Sequence, residues 1–323
     1  MASEGSRIVV YAALFANLLI AVGKFIAASI SGSAAMWSEG VHSLVDSVNE
    51  GLLLYGIHRS GATPNRTHPL GYGREVYFWS FLVAVLFLAF GAGVSLYEGV
   101  SHLFGSYTIE RPVLSFVMLG VSFFFEGISW TVAMRHFRAS KGKQGYWQAL
   151  RRSKDPTVFT VLVEDSAALV GLLIAFVGLL SSLRLNSARY DAIASIGIGL
   201  LLTCSALVLA RETKSLLIGE SAHSYVRDCI LSIAGKDPDI RKVNGLITVQ
   251  MGPDQVMAAM SAEFEDALTT PQIEACIKRI EQKVKDAREE VTTLFVKPQT
   301  PEMFQARMDE LHHDEHAPTS RQK

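Results

Sequence analysis

The stretch from Ser33 to His58 is long and apolar enough to cross a bilayer, yet it carries Glu39, His42, Asp46, Asn49 and Glu50. At about 100° per residue these five positions fall within an arc of roughly 100° on a helix. They make one polar stripe on a surface otherwise built from Val, Leu, Met and Trp. A single ionisable group at membrane depth costs at least ~2.5–3.5 kcal/mol, and the stripe holds several, so it must face protein or a water-filled path rather than lipid. His42 and Asp46 stand one helical turn apart. An imidazole and a carboxylate therefore point the same way, which is half of a first-row metal site.

Six stretches reach the ~20 apolar residues that a bilayer demands. They are Ile8–Ile30, Ala34–Ile57, Val76–Leu103, Val113–Phe137, Val158–Leu183 and Tyr190–Ala210. Lys and Arg crowd the 2–3 loop (Arg59, Arg66, Arg74), the 4–5 loop (Arg135, Arg138, Lys141, Lys143, Arg151, Arg152, Lys154) and the exit of the sixth stretch (Arg211, Lys214). The opposite loops are poor in them. By the positive-inside bias both termini are cytoplasmic. Small residues (Gly91, Gly93, Ala167, Ala168, Gly171, Gly197, Gly199) recur where helices meet in lipid.

From Ser221 the pattern changes. Ala222–Ala234 reads as a helix, Val243–Met251 and Val256–Phe264 as strands around the turn Gly252-Pro253-Asp254, and Val291–Val296 as a closing strand. Between them Thr270 caps a helix that runs to Arg288, with Pro271 at its first position. The expected organisation is an all-α membrane domain of six spanning helices over 1–215. It is followed by a small α+β, ferredoxin-like cytoplasmic dimerisation domain over 216–300 and a loose polar tail over 301–323. A chain 49% hydrophobic and 19% charged is too greasy for a soluble domain, and a net charge of −1 offers nothing to nucleic acid. Three scattered cysteines without CxxC spacing give neither a disulfide framework nor a thiolate zinc site.

A tetrahedral ion wants about four ligands, so a second element must contribute. The fifth stretch offers Glu164 and Asp165. Asp165 shares a face with Ala168 and Leu169, the side expected to pack inward. Glu164 points about 100° away, and the pair could instead solvate a helix start near the membrane boundary. Glu126 is a third buried acid, which a Lys or Arg from another helix would satisfy. Asp191 reads as a helix N-terminal acid, Lys24 as a snorkelling lysine, and His312, His313 and His316 as a loose metal-capturing tract or a solvated one.

HSLVD in the second stretch, HPLGYGRE after it, KDPTVFTVLVEDSAALVGL into the fifth and YDAIASIGIG in the sixth resemble the cation diffusion facilitator family. Within that family the chain is most similar to the branch containing the animal mitochondrial zinc transporter. The resemblance covers nearly all of residues 8–300. It implies a homodimer whose protomers each carry a transport site between the second and fifth spans, exchanging a divalent cation, zinc first, for protons. By position His42, Asp46 and Asp165 match the transport ligands. The family's His or Asp one turn before the fifth-span Asp is here Val161, which cannot ligate. The fourth ligand is then Glu164, a stripe residue such as Glu39 or Asn49, or water, and manganese, iron or cobalt become admissible. In the loop where the bacterial relatives can hold a second metal, Asn65 and Tyr72 beside His68 stand in place of further ligands. Ser261, Val296 and Pro298 stand where relatives bear His or Asp, so the C-terminal lobe resembles the dimerising fold without its metal clamp.

No cofactor is expected apart from the transported ion. An intramembrane metal enzyme would need a feature such as an HExxH pair or a GxSxG nucleophile, and neither occurs. A membrane scaffold would tolerate an apolar stripe. With about seven residues ahead of the first span and no Arg- and Ser-rich leader, the expected location is a bacterial inner membrane.

Overall fold

A computed structural model describes residues 4–104, 112–141, 145–146 and 153–316. The basic loop residues Lys143, Arg151 and Arg152, and the side chains of His312, His313 and His316, lie outside what it describes. The chain divides into two compact units, Met1–Leu217 and Ile218–Lys323.

In the first unit, α1 (Glu4–Ser31) and α2 (Ala34–Ser60) are joined by a tight turn at Gly32, whose φ of +67° favours glycine. Ser33 caps α2, its Oγ accepting from Met36 N at 3.1 Å. Next come α3 (Glu75–Phe104), α4 (Pro112–Lys141), α5 (Pro156–Arg184) and α6 (Arg189–Ile218). Asp155 caps α5, accepting from Thr157 N at 3.0 Å, with Pro156 at the first helical position. The sixth apolar stretch was expected to end at Ala210. The helix instead continues through Arg211, Glu212 and Lys214 to Ile218, because nothing there breaks it. At 1.5 Å per residue its 30 residues reach about 45 Å, longer than a hydrocarbon core of ~30 Å.

Four of these helices, α3 to α6, are long and apolar enough to cross a membrane. In α1 the apolar helix described in full runs from Asn17 to Ser31. The 27-residue α2 has the length, and its polar stripe is what lowers its hydropathy. The core where the helices meet is rich in alanine (Ala27, Ala28, Ala35, Ala167, Ala175, Ala194, Ala206), interleaved with Met36, Phe87, Leu172 and Ile198. Such side chains let helix backbones approach in lipid. Leu19, Ile26, Val177, Leu200 and Leu207 point outward, as a lipid-facing surface requires. Inside α3 the segment Phe87–Ala92 takes one π-helical turn. It brings the Phe87 ring edge-on to His42, with centroids 5.5 Å apart.

The second unit runs α7 (Ser224–Gly235), β1 (Ile240–Gly252), β2 (Gln255–Phe264), α8 (Thr270–Ala287), β3 (Val291–Pro298) and α9 (Pro301–His316). Its sheet has three strands in the order β1-β2-β3, the first pair antiparallel and the second parallel. Pro253 and Asp254 form the hairpin loop, since Gly252 pairs with Gln255. Val226 and Ile230 of α7, with Cys276, Ile280 and Val284 of α8, pack on Val256, Ala258, Met260 and Leu294 of the sheet.

Two expectations need correction. The α8 cap is Thr269 rather than Thr270: Gln272 Oε1 accepts from both the backbone N–H and the hydroxyl of Thr269, at 2.8 Å each. The tail, expected to be loose, begins with a helix. Pro301 starts it, Met303 N donates to Thr300 Oγ1 at 3.4 Å, and Phe304 packs directly on Gly245 of β1, where a Cβ would collide with the ring.

Candidate metal centre

The stripe of α2 faces protein. Glu39, His42 and Asn49 are completely buried, and the Asp46 side chain keeps 18% of its exposure. His42 Nε2 stands 2.9 Å from Asp46 Oδ2, the one-turn contact that the spacing predicts. Yet neither His42 ring nitrogen has an aligned hydrogen-bond partner, and Asp46 Oδ1, Glu39 Oε1 and Asn49 Oδ1 are also buried without one. Most buried polar groups in folded proteins are bonded, so a row of unpaired ligand-type atoms along one helix face asks for an explanation.

Asp46 opens onto a cavity of about 30 Å³, room for an ion or a water. Its walls come from four helices: Asn17 of α1, Ser43, Asp46 and Glu50 of α2, Glu126 and Ser129 of α4, and Val161, Glu164 and Asp165 of α5. Asp165 Oδ2 accepts from Ser129 Oγ at 2.8 Å, and Glu50 Oε1 from Asn17 Nδ2 at 2.9 Å. Glu164 is 5% exposed and takes a hydrogen bond of 2.8 Å from Asn49 Nδ2, tying α5 to α2. That partner and depth place it in the helix interface, away from a solvated helix start. Among the described residues no hydrogen bond or ion pair joins Glu126 to a Lys or Arg, and it shares the cavity with the other acids.

The structure thus brings Asp46, Glu164 and Asp165 to one cavity, with His42 behind Asp46. It does not close them into a ligand shell. Among the described residues the one set of three His, Cys, Asp or Glu ligand atoms within 4.8 Å of one another is Asp237, Asp239 and Cys276 in the second unit. Arg279 already occupies that set, its guanidinium donating to Asp237 at 2.5 and 2.9 Å and to Asp239 at 2.7 Å. This arginine holds the Asp237 carboxyl down to about 2, and burial pushes the Cys276 thiol up to about 11. The cluster is an ion-pair network that needs no metal.

Three residues sit differently from expectation. Lys24 does not snorkel: it is fully buried, and its ammonium donates to Glu39 Oε2 at 3.1 Å and to Ser43 Oγ at 2.7 Å. Glu39 is accordingly committed to Lys24 and lies outside the cavity wall. Its Oε1 abuts α5 where Gly171 leaves room, 2.7 Å from where a Cβ would be. Asp191 serves another helix than its own, accepting from Ser33 Oγ at 2.8 Å and Ala35 N at 3.2 Å at the start of α2. In the 2–3 loop, Asn65 Nδ2 donates to the Tyr72 hydroxyl at 2.7 Å, and His68 packs against the Tyr72 ring.

A bundle of long apolar helices around a buried row of ionisable groups defines a multi-pass membrane protein. Residues 10–218 match the model of the cation efflux transmembrane domain, so the chain belongs to the cation efflux, or cation diffusion facilitator, family. The human proton-coupled zinc antiporter SLC30A9, mitochondrial, is 30% identical over 269 residues, 83% of this chain and 47% of its own length. Metal tolerance protein C4 of Arabidopsis thaliana is 32% identical over 263 residues, 81% of this chain and 58% of its own. The manganese efflux system protein MneP of Bacillus subtilis is 26% identical over 234 residues, 68% and 72%. The chain spans about half the length of the SLC30A9 and C4 relatives.

Proposed function

We propose that this protein is a secondary active transporter that exports a divalent metal cation from the cytoplasm in exchange for protons, with zinc as its cargo. The observation that carries this reading is the buried His42–Asp46 pair, whose His42 Nδ1 and Asp46 Oδ1 are left without a hydrogen-bond partner, beside a cavity walled by Glu164 and Asp165. Neutral imidazole and carboxylate are the donors that first-row divalent ions take. His42, Asp46 and Asp165 are the ligands, and Glu164, released from Asn49, supplies the fourth. An arriving ion displaces protons from these groups, and protonation from the far side expels it. The ligands close on the ion as α2 and α5 approach, and the site opens alternately as one helix group rocks against another. The metal is cargo rather than a resident cofactor.

In this reading α1 and α2 also span, giving six helices with both termini in the cytoplasm, a topology supported by the loop charges. The chain works as a homodimer in a bacterial inner membrane, with the second unit as a ferredoxin-like dimerising lobe; its membership of a family that includes MneP supports that setting. Manganese is the second candidate cargo, because Val161 withholds a nitrogen ligand and MneP is named for manganese efflux.

The test is zinc uptake into proteoliposomes holding the full chain, with a pH dye inside. Asp46→Ala and Asp165→Ala are each expected to lower the initial rate about a hundredfold, together with the proton signal. Uptake at the wild-type rate in either variant removes the basis of the reading.

A further inference from the structure

Among the described residues Lys24 is the one lysine or arginine buried completely in the membrane unit. Taking an ammonium out of water is costly, so a chain that keeps one there gives it partners. Its partners are Glu39 Oε2 and Ser43 Oγ, both on the polar stripe of α2. An ammonium carries three N–H donors on a flexible four-carbon stem, and these two hydrogen bonds engage two of them. Glu39 in turn is only half satisfied, its Oε1 having no donor. Ser43 lines the cavity together with Asp46, three residues along the same helix face. The ammonium is therefore bonded to Ser43, a wall residue of the cavity whose walls also include Asp46, Glu50, Glu126, Glu164 and Asp165.

Protons return to these acids as the divalent cation leaves, and in a low-dielectric interior an ammonium close by adds to that compensation. We propose that Lys24 is a tethered rival of the transported cation. As the metal leaves, the ammonium moves from Glu39 toward Asp46 and neutralises it; an incoming ion drives it back onto Glu39 and Ser43. Lys24 thereby keeps binding weak enough for release, and Glu39 sets how strongly the rival is held away. This rests on the reading that Asp46 binds the metal.

Zinc chloride titrated calorimetrically into the detergent-solubilised full chain, at one pH and one salt concentration, tests it. The comparison is wild type, Lys24→Met, Glu39→Gln and Asp46→Ala, each with its thermal unfolding recorded. Removing the rival is expected to tighten zinc binding about tenfold or more and to slow release. Removing its holder is expected to weaken binding, so the two variants move in opposite directions. A pair that merely braces α1 against α2 would make both changes weaken binding. A folded Lys24→Met with unchanged or weaker affinity overturns the proposal, as does a Glu39→Gln with unchanged or tighter affinity; should Lys24→Met fail to fold, Lys24→Gln, which removes the charge and keeps a hydrogen-bond donor, is read by the same criterion. Loss of binding in Asp46→Ala beside wild-type affinity in the other two overturns the role of Lys24 alone. Wild-type affinity in Asp46→Ala overturns the site and the rivalry together.

Discussion

Val161 stands in the cavity wall one turn before Asp165, and its isopropyl group gives a metal nothing to hold. A set of one imidazole with carboxylates discriminates poorly between zinc and manganese, whereas each added nitrogen favours zinc. Val161→His is expected to raise the ratio of zinc to manganese uptake about tenfold in a competition assay with both ions present. An unchanged ratio would mean that position 161 does not reach the ion. At this scale the sequence was legible where chemistry is local: His42 and Asp46 are four residues apart and had to share a face. Lys24, Glu39 and Asp191 were not, because their partners lie 15, 15 and 158 residues away. Nothing in a lysine near the end of an apolar run distinguishes one that reaches for water from one that finds a carboxylate.

At the scale of helices, the site depends on how closely α5 approaches α2. Gly171 is buried opposite Glu39, and a Cβ there would stand 2.7 Å from Oε1. A free glutamate would swing aside cheaply, but Lys24 pins the other oxygen of this one at 3.1 Å. Gly171→Ala is therefore expected to destabilise the protein by about 1–3 kcal/mol, the usual range for overpacking, and to slow metal uptake. Gly120 on α4 is the control, with nothing within 4 Å of its missing Cβ. There Ala is expected to stabilise by about 0.5–1 kcal/mol by stiffening the unfolded chain. Thermal unfolding in one detergent reads both, and a Gly171→Ala melting like wild type would show that the two helices are not held at contact. The spacing of apolar runs made the helices legible, and Gly171 was rightly suspected of a close approach. The π turn at Phe87–Ala92 was not legible, because FLAFGA contains no residue that forbids an α-helix. The polar α9 is not legible because a contact that seats it, the Phe304 ring on Gly245 of β1, joins residues far apart in the chain.

For the molecule as a whole, the division at Leu217 and Ile218 separates two different ways of being stable. The first unit turns its apolar surface outward and relies on small residues and on buried polar pairs across helices. The second encloses its apolar side chains between α7, α8 and one face of a sheet, and holds the buried Asp237 carboxylate under the half-exposed guanidinium of Arg279. A unit of about 100 residues with its own core should fold alone. Residues 218–316 expressed without the membrane unit are expected to be soluble and to unfold cooperatively by circular dichroism. The network predicts the acid limit of that fold. Asp237 is held at about 2 in the folded state, against about 3.9 for an unfolded aspartate, so its contribution is complete above about pH 4 and is lost as the pH falls toward 2. Because Arg279 is 39% exposed, solvent screens the pair, and the contribution is about 1–2 kcal/mol. Asp237→Asn should cost that much at pH 7 and almost nothing at pH 2. A fragment whose stability is flat from pH 5 to pH 2 would show that Arg279 does not hold the carboxylate, and would reopen Asp237, Asp239 and Cys276 to a metal.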